Sequence, residues 1–461
     1  MHSGIEALRA ALPPQSWTQD PDIIAPHLTE WRDKYFGQTP ILLTPRSTKE
    51  VVIAVNICRE HGLKIVPQGG NTGLVGGQTP QGEVLLSLKK MTAVRDVNPT
   101  TNALIIEAGA TLQAAQEQAE KAQRKFPLTL SSEGSCTVGG VLSTNAGGNH
   151  VLKYGTTKDL VFGVEAVLAS GEIWNGLTSL RKDNRGYDLN RLFLGAEGTL
   201  GIITAASLKL FPRPNYVQRA LVTLDSPAQA VAFLDHCRSA DKLAMFEVMP
   251  AIGYRAVVDN FDHIQDPLTK HAPWYALIDW ECGSEADGQA TAEDKLGTAL
   301  ERGLITDAII AQNETQAAKL LAIREHMSAG QKFLGGSIKQ DISLPISDIP
   351  AFFEQADAAM QRLIPNCRPV GFGHFGDGNI HYNIAQPEAM NKDYFLALWE
   401  QVSETIFDIV DHFGGSISAE HGIGIMKKQT LAARYPTKVA LMKSIKHALD
   451  PDNMFNPRCL L

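Results

Sequence analysis

Apolar residues along this chain recur at helical spacing in some stretches and alternate in others. Ser47-Thr48-Lys49-Glu50 reads as a capping box, Val51, Val55 and Cys58 follow on one helical face, and Gly62 stops the run. A short strand, Lys64-Ile65-Val66, then leads into a glycine-rich stretch from Pro67 to Gly77. Phe211-Pro212-Arg213-Pro214-Asn215 breaks the pattern and reads as a domain boundary. Beyond it, strand-like runs (219–224, 274–280) alternate with helical ones (227–238, 314–326), which predicts an α+β domain. Residues 394–413 carry a strong apolar stripe and predict one helix that ends at Gly414-Gly415.

The chain has 461 residues, more than one hydrophobic core usually serves, so two domains are expected. Its net charge of −8, with no basic stretch to meet a phosphate backbone, argues against nucleic-acid binding. A mean hydropathy near zero fits a soluble protein, and no apolar run reaches the length of a membrane span. Met1-His2-Ser3-Gly4 lacks the basic and apolar regions of a signal peptide. Six scattered cysteines (Cys58, Cys136, Cys237, Cys282, Cys367, Cys459) without a Cys-x-x-Cys predict free thiols and a reducing cytoplasm. They also give no iron–sulfur motif.

Three glycine-rich regions fall within about 140 residues: Gly69-Gly70-Asn71-Thr72-Gly73, then Gly134 to Gly148, then Gly195 to Gly201. Glycines let backbone N–H groups converge on an anion and let a ligand approach without a Cβ in the way. One such loop is weak evidence, but three predict a large dinucleotide laid along the fold. None of the three reads G-x-G-x-x-G. The literal match, Gly371 to Gly376, is followed by no helix pattern and lacks the required context.

Two later segments carry the chemistry. Gly373-His374-Phe375-Gly376-Asp377-Gly378-Asn379-Ile380-His381 contains an Asp-Gly pair flanked by apolar residues, a two-residue hairpin signal. That turn would set His374 opposite His381, with Cβ atoms roughly 5 Å apart, and would point Asn383 the same way. Ser418-Ala419-Glu420-His421-Gly422 adds a carboxylate and a third histidine. Together they predict a divalent-metal site with a base beside it, suited to zinc, manganese or iron. His61, His236, His271 and His412 read as ordinary histidines.

With these residues in view, the chain resembles flavoproteins of the vanillyl-alcohol oxidase/p-cresol methylhydroxylase superfamily. Within it, the resemblance is to the FAD-dependent D-2-hydroxyacid dehydrogenases, most closely those acting on D-2-hydroxyglutarate. It covers the chain and rests on the glycine loops, on Leu177 to Asp188 (LTSLRKDNRGYD), Glu197 to Thr204, the HFGDGNIH hairpin, SAEHGIG, Leu449-Asp450-Pro451 and Asn456-Pro457. The resemblance implies an α+β fold: a two-lobed FAD-binding domain (1–215), an α+β cap domain carrying the hairpin (216–413), and a C-terminal helical segment returning to the FAD domain (414–461). It implies that Pro67, Gly69, Gly70, Asn71, Thr72, Gly73 and Leu74 hold the FAD pyrophosphate. Ser135, Thr137, Gly139, Gly140, Thr144, Asn145, Gly148, Gly201, Ile203 and Asn456 would follow the rest of the cofactor. Some relatives attach flavin through a histidine in the first loop. None stands there in this chain, so non-covalent FAD is expected.

By the same resemblance, His374, His381 and Glu420 would be the metal ligands and His421 the catalytic base. Arg324, Ser328, Asn383 and His421 would meet the substrate, and Lys339 the far carboxylate of a dicarboxylic one. Ser328 departs from the threonine of close relatives but keeps a hydroxyl. D-lactate and glycolate relatives tend to lack the lysine at 339, so D-2-hydroxyglutarate is the expected substrate. D-lactate, D-malate or glycolate is the alternative of the same build. A metallohydrolase, which leaves the glycine loops unexplained, and a catalytically silent flavin subunit are the alternatives of other classes. The acceptor would be electron-transfer flavoprotein, a quinone or a cytochrome, and a homodimer is the expected assembly.

Overall fold

The computed structural model describes residues 2–238 and 241–461, and the chain divides into two units. The first comprises Met1–Gly148, Gly155–Arg213 and Glu420–Leu461, and the second Asn149–Tyr154 and Pro214–Ala419.

The capping signal at Ser47 produces the helix Thr48–Glu60. The Ser47 hydroxyl accepts from the Glu50 N–H, while the Glu50 carboxylate reaches back to the Arg46 N–H. Val51, Val55 and Cys58 are fully buried on one face, and Gly62 takes a positive φ of 63° just past the end. The strand after it, Ile65–Gln68, runs parallel to Val84–Ser87, which runs parallel to Leu42–Leu43. Trp17–Thr18 closes this sheet antiparallel. A second, antiparallel sheet orders Val94–Asn98, Ala103–Glu107, Ile202–Lys209, Val161–Val167 and Ile173–Asn175. The strand Ile202–Lys209 lies at its centre and is buried along seven of its eight residues.

The C-terminal part of this unit is pinned by one buried ion pair. Lys446 Nζ donates to Asp450 Oδ2 at 2.5 Å and to the carbonyls of Thr199 (2.7 Å) and Phe455 (2.8 Å). The same carboxylate accepts from the Met454 and Phe455 N–H groups. A buried charge persists only when its remaining hydrogen-bonding capacity is met in this way.

In the second unit an antiparallel sheet orders Leu243–Pro250, Trp274–Cys282, Tyr216–Leu224 and Asp307–Ile310. The helices Pro227–Arg238 and Glu314–Glu325 form where the apolar spacing places them. A smaller sheet is built around Asn379–Ala385, paired with Arg368–Phe372, Ser337–Ile338 and Ile342–Ser343. The single helix expected over 394–413 is two helices, Lys392–Ala397 and Trp399–His412, meeting at Leu398. Asn391 caps the first, accepting from the Asp393 and Tyr394 N–H groups, so the stripe begins earlier and bends. Among the described residues no helix is long and apolar enough to cross a membrane.

Candidate active site

In the first unit the strand Ile65–Gln68 empties into the first glycine loop, which lines a cavity of about 440 Å³. All three glycine-rich regions reach it, through Pro67 and Gly69 to Leu74, through Ser135, Thr137, Gly139, Gly140 and Thr144, and through Gly201 and Ile203. Asn456, Glu420 and His421 line it too. Asn145 and Gly148 do not. Asn145 takes a left-handed φ of 51° at the end of the helix Val138–Thr144 and accepts from the Lys158 N–H, and Gly148 packs on the Thr129 carbonyl. Glycine is required where the loops meet: a Cβ on Gly70 would lie 2.2 Å from the Ser135 carbonyl oxygen. The glycines thus bring backbone to part of the cavity wall, as a dinucleotide cradle needs.

The Glu420-His421 segment is held from behind. Glu197, a buried residue of the third glycine region, accepts from the Ile423 and Gly424 N–H groups at 2.8 Å each and from the Cys459 thiol at 3.1 Å. Burial raises the Glu197 carboxyl pKa, and these donors oppose the rise. The Ile425 N–H donates to the Val75 carbonyl, tying the segment to the first loop. Asn456 Nδ2 donates to the carbonyls of Gly77 and Glu197 at 2.9 and 2.8 Å. The Glu420 carboxylate stands over Gly147, where a Cβ would lie 3.0 Å from Oε1. Reading the sequence marked the third glycine region but gave Glu197 no role.

In the second unit His374 and His381 come together, their ring centroids 5.6 Å apart. The route differs from the expected hairpin. Phe372, not His374, stands opposite His381, so the pairing runs two residues from that register. Gly373 leaves the ladder and forms a bridge with Val248 of the other sheet. His374 then opens a wider turn whose carbonyl accepts from the Asp377 and Gly378 N–H groups. Gly378 has a φ of 88°, and a Cβ there would lie 2.2 Å from the Leu344 carbonyl oxygen, so the Asp-Gly signal was sound about the glycine and wrong about the loop length.

Each histidine has a buried carboxylate at Nδ1. Glu247 Oε1 bonds His374 Nδ1, and Asp341 Oδ1 lies 3.7 Å from His381 Nδ1. Asp341 also accepts from Asn379 Nδ2 at 3.0 Å. An imidazole whose Nδ1–H is given to a carboxylate, as at His374, offers the lone pair of Nε2 to a metal, and the Asp341 charge near His381 favours the same arrangement there at longer range, so this donor set fits a divalent ion. Glu247 Oε2 accepts from Arg324 Nε at 2.7 Å. Burial alone would raise the Glu247 carboxyl, but Arg324 and His374 outweigh it and hold it at about 2. Arg324 is itself buried, with its Cζ 4.9 Å from the centroid of the Phe372 ring. Asn383 is buried and donates to Gln331 Oε1 at 2.9 Å, Ser328 is exposed on the short helix Met327–Gly330, and Lys339 is half-buried between two strands. Glu247 and Asp341 were absent from the sequence-based site. The signal was available for Glu247, the lone charge in the apolar run Leu243–Pro250.

Comparison with known proteins agrees with both units. Residues 213–460 match the family described as FAD linked oxidases, C-terminal domain, and residues 39–176 match an FAD binding domain. The mitochondrial D-2-hydroxyglutarate dehydrogenase of Bos taurus is 36% identical over 99% of this chain and 83% of its own length. The D-2-hydroxyglutarate dehydrogenase of Xanthomonas citri pv. viticola is 34% identical over 98% and 96%. Among solved structures, p-cresol methylhydroxylase with substrate bound has a TM-score of 0.76 at 16% identity, covering 99% of this chain and 96% of that one, which shows the fold. A metallohydrolase reading does not survive these matches. This chain belongs to the FAD-linked oxidoreductase family that contains the D-2-hydroxyglutarate dehydrogenases, built on the p-cresol methylhydroxylase-type fold.

Proposed function

We propose that this protein oxidises a D-2-hydroxy acid, D-2-hydroxyglutarate foremost, to the corresponding 2-oxo acid. The first unit would be the FAD-binding domain, holding the cofactor non-covalently, and the second the cap. What carries the reading is a cavity lined by all three glycine-rich regions and by His421, in a chain whose relatives named D-2-hydroxyglutarate dehydrogenase match nearly its full length.

Bound FAD supplies a hydride acceptor, and a divalent ion supplies the Lewis acidity that eases ionisation of the hydroxyl. His374, His381 and Glu420 would hold that ion, zinc being the first expectation and manganese or iron the others. His421 takes the hydroxyl proton, work suited to an imidazole near neutral pH. Arg324 grips the C1 carboxylate and sets which face of Cα is presented. Asn383 and Ser328 add polar contacts, and Lys339 neutralises the second carboxylate of a dicarboxylic substrate. Electron-transfer flavoprotein, a quinone or a cytochrome would take the electrons onward, and a homodimer is the proposed assembly. The family does not fix a compartment: the bovine relative is named mitochondrial and the Xanthomonas one is not, and we keep a cytoplasmic setting as the proposal.

The test is the visible spectrum of the purified protein under anaerobic conditions, before and after D-2-hydroxyglutarate. Bleaching of a yellow protein supports the proposal. A yellow protein that bleaches with D-lactate or D-malate instead would keep the reaction class and overturn the substrate.

A further inference from the structure

The strand Leu243–Pro250 is buried along its whole length, and its only charged residue is Glu247, whose side chain has no exposed surface. A carboxylate in such a place needs strong partners. It has two, and they belong to different tasks in the proposed reaction. Oε2 accepts from Arg324 Nε, and Oε1 bonds His374 Nδ1.

The surroundings fix both partners. An arginine presents its donors in a planar fork, so giving Nε to Glu247 fixes the guanidinium plane and turns its end-on edge, formed by the two terminal nitrogens, away from Glu247. The guanidinium carbon lies over the Phe372 ring, 4.9 Å from its centroid. At His374, a carboxylate on Nδ1 sets the ring angle and the tautomer. The backbone reinforces the second contact. Val248 and Gly373, the neighbours of Glu247 and His374, exchange both N–H···O bonds, at 2.9 and 3.0 Å. Side-chain and main-chain pairs thus clamp the loop that carries His374 onto the strand that carries Glu247.

We infer that Glu247 is a positioning residue that orients the metal-binding His374 and the carboxylate-binding Arg324 together, so that metal affinity and substrate recognition depend on one side chain. This rests on the ligand and substrate roles proposed above for those two residues. A carboxylate that merely balanced a buried arginine would leave metal affinity alone.

The experiment uses full-length, FAD-loaded protein and zinc as the probe. Zinc affinity is measured by competition with a chromogenic chelator, alongside the flavin-to-protein ratio and KM for D-2-hydroxyglutarate. Wild type and H374A come first. Loss of zinc in H374A is expected; equal zinc binding by the two would remove the metal site itself, and this inference with it. Glu247→Gln is then expected to keep its flavin, weaken zinc about 10–100-fold and raise KM. Zinc affinity and KM both within about twofold of wild type, with flavin intact, would overturn Glu247's role while leaving the site standing. Arg324→Lys supplies a reading if Glu247→Gln fails to fold. That substitution keeps the charge but withdraws the Nε partner from Glu247, so zinc should weaken severalfold although residue 324 is no ligand. Unchanged zinc affinity there would overturn the coupling.

Discussion

Replacing Glu197 with alanine tests how His421 is held. The substitution removes the acceptor of two N–H bonds at 2.8 Å, to Ile423 and Gly424, and of the Cys459 thiol. Each backbone donor left unpaired in a buried place costs about 1–3 kcal/mol. Removing the carboxyl also removes its own burial penalty, evident in its raised pKa, so part of that loss is offset. We expect a net effect of about 2 kcal/mol, roughly thirtyfold in the equilibrium between a seated and an opened segment. A catalytic group displaced by about 1 Å can lower a rate on the order of 100-fold. The assay measures turnover under saturating FAD, paired with the flavin dissociation constant, because Glu197 also lines the cofactor cavity. With FAD restored, kcat should fall by about tenfold or more, since the segment still spends part of its time seated. Turnover within about twofold of wild type, in a folded and flavin-loaded variant, would refute the clamp.

Three further outcomes follow from the same geometry. Lys339→Ala should weaken turnover of D-2-hydroxyglutarate far more than that of D-lactate, because only the dicarboxylate has a second anionic group to lose a partner; equal losses would remove Lys339 from the specificity argument. Gly70→Ala places a Cβ 2.2 Å from the Ser135 carbonyl oxygen, and a backbone atom cannot swing away, so purified protein should carry little FAD; a stoichiometric flavin content would contradict that packing. Burial raises the folded-state pKa of Glu197 above its unfolded value of about 4.3, so its stabilising contribution is full below that pH and is lost as pH rises through the folded value. The Tm of wild type relative to Glu197→Gln should therefore fall as pH is raised from about 4, and a difference that does not change with pH would count against the raised pKa.

What could be read from the sequence was local. The helix Thr48–Glu60 announces itself through Ser47, Glu50 and Gly62, which lie within sixteen residues of one another and interact through the chain next to them. The glycine loops announce themselves because close backbone approach excludes every other residue type, as Gly69 and Gly70 show where they meet Thr137 and Ser135. The hairpin was half legible. Asp377-Gly378 marks a turn correctly, but pairing of Gly373 with Val248, 125 positions away, takes that residue out of the ladder and widens the loop. Tertiary pairing overrode the local turn preference, and the two histidines meet all the same because the slip is of two residues, which keeps the face. Glu197 was not legible as a site residue, and Glu247 showed only as a lone charge in an apolar run, with nothing to name its partners. Their partners lie 226 and 227, and 77 and 127, positions away, and no periodicity connects such pairs.

Those two glutamates answer the same physical problem. In each unit a group proposed for chemistry sits on a loop, His421 after a helix-free turn and His374 in the turn between strands. A loop has few contacts to fix a side chain within the tenths of an ångström that catalysis needs. A hydrophobic residue behind it would fill space without choosing an orientation. A glutamine would bring its own N–H₂ against donors that already point inward, from Ile423 and Gly424 in one case and from Arg324 in the other. Only an acceptor on both oxygens satisfies two donors at once, and only burial keeps water from competing for them. The desolvation of a carboxylate is then the condition under which a loop can be held as firmly as a strand. On this argument a lone acid inside an apolar or glycine-rich run is the place to look for what orients a site, and Glu247 in Leu243–Pro250 meets that description from sequence alone.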